Sequence, residues 1–211
     1  MKVWSDSFKD GAAMPGDLAF CVIDTANPAN HIAMSSNRNP HLAWSDLPAG
    51  TQSLAVICHD VDVPSKPDDV NQEGRTIPAS LPRVDFYHWI LLDLPANAAP
   101  IAAGEFSNAI TPRGKPGPAA PRGTRQGIND YSAWFAGDAN MSGDYYGYDG
   151  PCPPWNDTIV HHYTFTVYAL SVVKLDTAGL HGAEVLAAMQ GKILGKASIT
   201  GLYSLNPAVK A

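Results

Sequence analysis

Three short apolar runs along the chain predict buried β-strands. Residues 53–58 form a compact apolar stretch that ends at charged residues, and residues 86–92 are apolar and aromatic apart from one histidine. Residues 161–170 are rich in the aromatic and β-branched side chains that strands favour. Prolines repeatedly interrupt residues 1–50, so short strands and turns are expected there too. Together these patterns predict a mainly β protein.

One stretch near the end of the chain has helical periodicity. Residues 182–191 place four apolar side chains on one helix face, and Gly191 is suited to end that helix. Residues 64–83 and 111–127 are rich in proline and predict long loops. No internal repeat or linker divides the chain, so a single domain over residues 1–211 is expected.

Composition and charge limit the class of partner. The chain is 45% hydrophobic and 16% charged, which is ordinary for a globular protein. Its net charge of −6 argues against nucleic acid or an anionic membrane surface as the main partner, because both attract excess positive charge. No apolar run approaches the roughly 20 residues that a membrane helix needs, so we expect no stable membrane association.

The cysteines and the first residues suggest a compartment. Cys21, Cys58 and Cys152 are few and scattered, and no CxxC pair occurs, so the pattern indicates reduced thiols rather than a disulfide framework. Residues 1–6 contain no apolar core of a secretory signal. The sequence is therefore interpreted as that of a cytoplasmic protein.

Ionisable residues occur at or near the ends of the predicted strands. Asp60 and Asp62 follow the first strand, and the alternation of side chains in an extended chain predicts that they share one face. His88 lies inside the second strand. Taken alone, these residues are more simply explained as solvated carboxylates at a strand end and a hydrogen-bonded core histidine.

A proline-rich turn precedes the third strand. Residues 150–154 read Gly-Pro-Cys-Pro-Pro, and three prolines at this spacing fix a rigid wall rather than a sheet interior. In the strand that follows, His161 and Tyr163 share a face and His162 points to the opposite side. A purely structural turn beside aromatic core residues remains an alternative to a binding site.

Motifs for metal or nucleophilic chemistry are not found. The chain has no HExxH helix and no GxSxG elbow, and Cys58 lies in a buried run where a thiol is inert. No glycine-rich phosphate loop with Walker or dinucleotide spacing occurs either. We therefore predict no metal and no cofactor, although spacing alone leaves the type of site open.

The motifs taken in order resemble those of the phosphatidylethanolamine-binding family. Residues 60–64 resemble its D-P-D-A-P signature, and His88 with the tryptophan that follows resembles its strand histidine. Residues 150–154 and 161–163 are similar to its G-P-x-P-P and H-x-Y motifs. The resemblance extends over about residues 6–205, and it is greatest to the bacterial, Raf-kinase-inhibitor-like branch of YbhB and YbcL type.

This resemblance implies a fold and a pocket. The fold would be two antiparallel sheets with Greek-key connections and small peripheral helices. The pocket would accept phosphate-like anions or phosphoethanolamine headgroups, and the residues expected to line it are Asp60, Asp62, His88, Cys152, His161 and Tyr163. Trp155, which stands where the family more often has a glycine-rich connection, would narrow it.

Two functions follow as hypotheses. The first is a non-enzymatic binding protein, in which His88, Tyr163 and a backbone N–H near Cys152 donate hydrogen bonds to the anion. One imidazole would be protonated, because a neighbouring aspartate raises the pKa of a histidine. Such a protein would regulate an unidentified protein partner, and homodimerisation is expected by family analogy alone. The alternative is a hydrolase or phosphate-handling enzyme that uses the cluster of Asp60, Asp62, His88 and His161.

Overall fold

The computed structural model describes residues 1–211, and its strands are short at the beginning of the chain and long in the middle. In chain order they are β1 (Lys2–Trp4), β2 (Ala12–Ala13), β3 (Cys21–Ile23), β4 (Ile32–Met34), β5 (Ala43–Ser45), β6 (Ser53–Pro64), β7 (Arg83–Pro95), β8 (Arg125–Gln126), β9 (His161–Leu170) and β10 (Ile193–Tyr203). Six of them form one sheet in the order β2-β10-β9-β6-β7-β8. Only the short β2–β10 pair is parallel.

Small ribbons and helices surround this sheet. Strands β1 and β5 form one antiparallel ribbon and β3 and β4 another. The α-helices are α1 (Tyr131–Trp134) and α2 (Gly182–Met189). Neither helix has the length and apolar composition needed to cross a membrane. The predicted fold class, mainly β with antiparallel sheets and small peripheral helices, is confirmed.

The central strands are buried on both faces, and their apolar runs have a physical explanation in that burial. In β6, Val56 and Cys58 belong to the larger core on one face, whereas Ala55 and Ile57 belong to a smaller core on the other. A strand covered on both sides needs apolar residues at every position, which is why no alternation is visible in its sequence. Val185 of α2 completes the smaller core, so the apolar face predicted for this helix is confirmed.

Strand β10 has no strong signal in the sequence. It pairs with β9 from Ile193 opposite Leu170 to Tyr203 opposite His161, yet it contains Gly195 and other residues that pack poorly in strands. Most of its first half is exposed, and only its last residues reach the larger core. Its pairing partner, rather than its own composition, therefore determines that it is a strand.

A buried carboxylate, that of Asp149, connects loops that are far apart in the chain. Asp149 is fully buried and accepts hydrogen bonds from the side-chain amides of Asn37 and Asn129, each at 2.7 Å. The ammonium of Lys115 lies 3.0 Å from the same carboxylate. Burial raises the pKa of Asp149, and the neighbouring Lys115 opposes that rise. Four chain segments are thus held together by one side chain.

Replacing this carboxylate should destabilise the fold strongly. In Asp149→Ala the ammonium of Lys115 would stay buried without its partner, and we expect the free energy of unfolding to fall by about 3–5 kcal/mol. Urea denaturation followed by circular dichroism measures the change.

The matched control is Asp69→Ala, which removes the carboxylate of an exposed ion pair with Arg75. The unfolding midpoint of this variant should remain close to that of the wild type. Equal losses in the two variants would show that Asp149 has no special role in the fold.

Candidate ligand-binding pocket

A cavity of about 670 Å³ opens on the side of the sheet that carries the larger core. Of the 21 residues that line it, 13 are hydrophobic, so polar groups occupy only a small part of its wall. Five of the six residues expected from the sequence lie in this lining: Asp60, His88, Cys152, His161 and Tyr163.

A β-bulge turns His88 toward the cavity. Opposite β7, Cys58 pairs with Trp89 and His59 pairs with Tyr87, so His88 is an extra residue without a pairing partner. Because one residue is inserted, His88 and Trp89 both contact the face of the larger core instead of alternating. The bulge therefore brings an imidazole into a pocket from a strand that is otherwise apolar.

A second irregularity separates Asp60 from Asp62. Asp60 is opposite Phe86 and Val63 is opposite Val84, so the intervening residues of β6 outnumber those of β7 and the alternation is broken. Asp60 lines the cavity. Asp62 instead accepts hydrogen bonds from the backbone N–H and Nδ1 of His162, at 2.9 and 2.8 Å, near the surface. The prediction that the two aspartates share the pocket was therefore wrong for Asp62.

The proline-rich wall is fixed by its backbone. The N–H of Gly150 donates to Asn37, and its carbonyl accepts from the hydroxyl of Tyr131. A Cβ on Gly150 would lie 2.1 Å from the carbonyl oxygen of Leu18, which explains the need for glycine there. The carbonyl of Pro151 accepts from two consecutive N–H groups of the segment that begins β3. The wall is thus held in place before any ligand arrives.

Cys152 is joined to Cys21 by a disulfide that spans 131 residues of sequence. The expectation of three reduced thiols was wrong for this pair, because the fold brings together two cysteines that are distant in the chain. Only Cys58 is free, and burial raises the pKa of its thiol well above the usual range. Disulfides persist mainly in oxidising compartments, so the cysteines no longer support the expected cytoplasmic location.

His161 is held between two carboxylates. Its Nδ1 lies 2.6 Å from Asp60 and its Nε2 lies 3.1 Å from Asp157, so both ring nitrogens must donate and the ring must carry a proton on each. Burial alone would lower the pKa of His161, but the hydrogen bonds to Asp157 and Asp60 raise it to about 9. The imidazolium predicted from the sequence is therefore His161.

His88, unlike His161, has no carboxylate as a hydrogen-bond partner of its ring. Its Nδ1 lies 2.7 Å from the carbonyl oxygen of Asp149, which can only accept, so this nitrogen carries the proton. Burial lowers the pKa of His88 to about 4, even though Asp60 acts to raise it. The ring is neutral near pH 7 and its Nε2 is a hydrogen-bond acceptor. A neutral His88 with Nδ1 already engaged does not fit the expected role of hydrogen-bond donor to an anion.

Tyr163 and Cys152 add donors to the other polar residues of the lining, Asp60, His88 and His161, and together these residues form the polar end of the cavity. Burial, and then the charge of Asp60, raises the pKa of Tyr163 well above its ordinary value, so the phenol keeps its proton. The backbone N–H of Cys152 donates to no acceptor within the protein. These groups and the Nε2 of His88 give the lining two donors and one acceptor.

Sequence reasoning missed the pair of Asp157 and Arg83. Arg83 at the start of β7 holds Asp157 through two hydrogen bonds of 2.5 and 3.0 Å, and Asp157 in turn contacts His161. Burial acts to raise the pKa of Asp157, but its bonds to His161 and Arg83 lower it. An aspartate four residues before a predicted site histidine was the only signal for this pair.

Trp155 does not narrow the cavity. Its ring stacks on His31 with a centroid distance of 3.7 Å, away from the cavity lining. The walls are formed instead by residues from several loops, among them Met34 and Trp134, which are half exposed at the mouth. The space beside the polar end is therefore open and apolar.

The chain is similar to known proteins in both sequence and fold. A family profile described as phosphatidylethanolamine-binding protein matches residues 4–204. The UPF0098 protein YbhB of Escherichia coli is 30% identical over 206 residues, covering 97% of this chain and 100% of YbhB. A UPF0098 protein of Methanothermobacter thermautotrophicus is 33% identical over 176 residues, or 83% of this chain and 89% of that protein. The crystal structure of Escherichia coli YbcL, described as a new member of the mammalian PEBP family, has a TM-score of 0.62 and 25% identity, with coverage of 96% of this chain and 97% of YbcL.

The disulfide between Cys21 and Cys152 should be detectable from the number of free thiols and from the effect of reduction on stability. Titration of the denatured, unreduced protein with a thiol reagent should find one free thiol, that of Cys58. Reduction should lower the free energy of unfolding by about 2–5 kcal/mol, because the bond closes a long loop in the unfolded chain. In a Cys152→Ser variant, reduction should have no further effect, whereas finding three free thiols in the wild type would contradict the bond.

The two pocket histidines should titrate at opposite ends of the pH scale. NMR titration of the ring signals should show a pKa near 9 for His161 and near 4 for His88. The loss of one signal in His161→Gln and of the other in His88→Gln assigns them. The pKa of a histidine in the unfolded chain is about 6.5. Because folding raises the pKa of His161, this residue stabilises the fold fully below about pH 6.5 and loses its contribution as the pH rises through 9. His88 stabilises above about 6.5 and loses its contribution as the pH falls through 4. Two pKa values near 6.5 would refute this description of the pocket.

Proposed function

This chain belongs to the phosphatidylethanolamine-binding protein family, and we propose that its pocket binds the phosphate group of a phosphoethanolamine-type headgroup or a similar small phosphate monoester. The family resemblance inferred from the motifs is confirmed. The proposal concerns the ligand, and one observation carries it: a phenol, a backbone N–H without an acceptor in the protein and a neutral imidazole belong to the lining of one largely apolar cavity.

The proposed polar contacts use groups of the cavity lining. The hydroxyl of Tyr163 and the N–H of Cys152 would donate to phosphate oxygens, while the charge of His161 is already balanced by its two carboxylates. Hydrogen bonds to a charged phosphate contribute about 1.5–3 kcal/mol each when the site is shielded from water. The fixed proline-rich wall reduces the entropy that binding would otherwise cost.

The apolar part of the cavity suits what the phosphate is attached to. A volume of about 670 Å³ lies within the range of small-molecule sites and exceeds the space that a bare phosphate ion needs. Phe86, Phe135 and Trp134 are among the walls that would contact an ethanolamine or larger substituent. An ester of phosphate is therefore a better match to the whole cavity than inorganic phosphate.

Several observations favour binding over catalysis as the role of the pocket. Cys152 is oxidised in the disulfide and Cys58 is buried, so neither supplies a thiolate. Both nitrogens of His161 are engaged with carboxylates, so it has no free position from which to act as a base. Regulation of a protein partner and homodimerisation stay predictions from the family resemblance.

Removing one donor should weaken the proposed complex without changing the fold. Isothermal titration calorimetry with phosphoethanolamine and phosphate should show saturable binding, with the ester bound more tightly. In Tyr163→Phe the loss of one hydrogen bond to a charged group should weaken binding about tenfold or more. His162→Ala, a change at a side chain outside the cavity lining, serves as the matched control and should bind as the wild type does. Absence of heat with both ligands in the wild type would refute the proposed function.

A further inference from the structure

We infer that the pocket selects the singly protonated form of a phosphate monoester, and that the acceptor nitrogen Nε2 of His88 makes this selection. The inference rests on the proposed function and adds which ionic form of the ligand is bound. It follows from the position of one proton on one imidazole ring, and from the bonds that hold that ring.

The tautomer of His88 is set by the backbone. Nδ1 lies 2.7 Å from the carbonyl oxygen of Asp149, and the N–H of Asp149 returns a hydrogen bond of 3.0 Å to the carbonyl of His88. This reciprocal pair holds the ring and the wall in register. Since a carbonyl oxygen has no proton to give, Nδ1 is the protonated nitrogen and Nε2 presents a lone pair. The backbone of the wall, at Asp149 and Gly150, thus holds the ring.

The surroundings keep this ring neutral. Three aromatic rings pack against it, those of Phe86, Tyr131 and Tyr163, with centroid distances of 4.9, 5.6 and 5.1 Å.

The charged groups that act on it are Asp60 of β6 and His161 of β9, whereas the carboxylate of Asp149 is engaged with Asn37, Asn129 and Lys115. The Oδ2 atom of Asp60 accepts from His161 and its Oδ1 atom accepts from the N–H of Asp62. The charge of Asp60 acts to raise the pKa of His88, but the burial of the ring outweighs it. The low pKa of His88, about 4, agrees with this arrangement.

A phosphate monoester with one remaining P–OH is complementary to these groups. Its hydroxyl can donate to Nε2 of His88, and its other oxygens can accept from Tyr163 and from the N–H of Cys152. A phosphate dianion or a sulfate ester has only acceptor oxygens, so a lone pair of the ligand would face the lone pair of Nε2. The second ionisation of a phosphate ester is near pH 6, so the selected form is abundant at and below that pH.

Two probes of similar shape separate the effect of the proton from that of charge. Phenyl phosphate below pH 6 and phenyl sulfate are both monoanions with an aromatic group for the apolar walls, but only the phosphate has a hydroxyl. At pH 5, phenyl phosphate should bind the wild type about tenfold more tightly or better. Above pH 6 its affinity should fall by about tenfold per pH unit, while that of phenyl sulfate stays level. The pKa values of both pocket histidines lie outside this range, so the ligand alone titrates.

The variant His88→Gln tests the residue. An amide can either donate or accept a hydrogen bond at this position. The difference in affinity between phenyl phosphate and phenyl sulfate, and the pH dependence of phenyl phosphate binding, should therefore both shrink several-fold. The ¹⁵N NMR spectrum of the wild type tests the tautomer without any substitution, and it should show a protonated Nδ1 and an unprotonated Nε2 at pH 7.

The outcomes distinguish the inference from the function on which it rests. Equal affinity for the two probes, or phosphate binding that does not change between pH 5 and 8, would overturn the selection by His88 and leave phosphate binding intact. A proton on Nε2 in the NMR spectrum would also overturn it. If neither probe nor phosphoethanolamine binds, the proposed function fails and the inference fails with it.

Discussion

The backbone between residues 149 and 152 is fixed from several directions, and the pocket depends on that constraint. The carboxylate of Asp149 gathers two buried amides and an ammonium, while its main chain exchanges two hydrogen bonds with His88. The next residues are held by the hydrogen bonds of Gly150 with Asn37 and Tyr131 and by the disulfide of Cys152. Because a buried polar group is costly unless it is satisfied, each of these bonds restricts where the wall can lie. The same segment therefore closes the core on one side and presents polar groups to the cavity on the other.

The two histidines of the pocket differ in charge because their hydrogen-bond partners differ. His161 touches two carboxylates and becomes a cation, although it is as buried as His88. His88 touches a carbonyl and aromatic rings and stays neutral. The polar end of the cavity consequently carries little net charge, since Asp60 and Asp157 are balanced by His161 and by Arg83. Recognition in such a cavity depends on the direction of hydrogen bonds more than on overall attraction between charges.

Much of the fold could be read from local patterns, because those patterns have local causes. Strands β6, β7 and β9 are buried on both faces, and a run of apolar residues is the direct signature of that environment. Helix α2 has an apolar face with a glycine after its end, and Gly191 indeed has a positive φ of 73°. Strand β10 escaped detection because its neighbours, not its residues, make it a strand. The bulges at His88 and after Asp60 were equally invisible, since an inserted residue breaks an alternation only when the opposite strand is known.

By itself the sequence determined the fold class, the family and the places along the chain where polar groups gather, because these depend on composition and short-range spacing. Only the tertiary structure decided which of those groups meet. It joined Cys21 to Cys152 across 131 residues, placed Arg83 on Asp157, and moved Asp62 out of the pocket to His162. It also set the protonation of His88 and His161 in opposite directions. The physical reason is that bonds, ion pairs and pKa values depend on distances of a few ångströms between segments far apart in the chain, and no local pattern contains those distances.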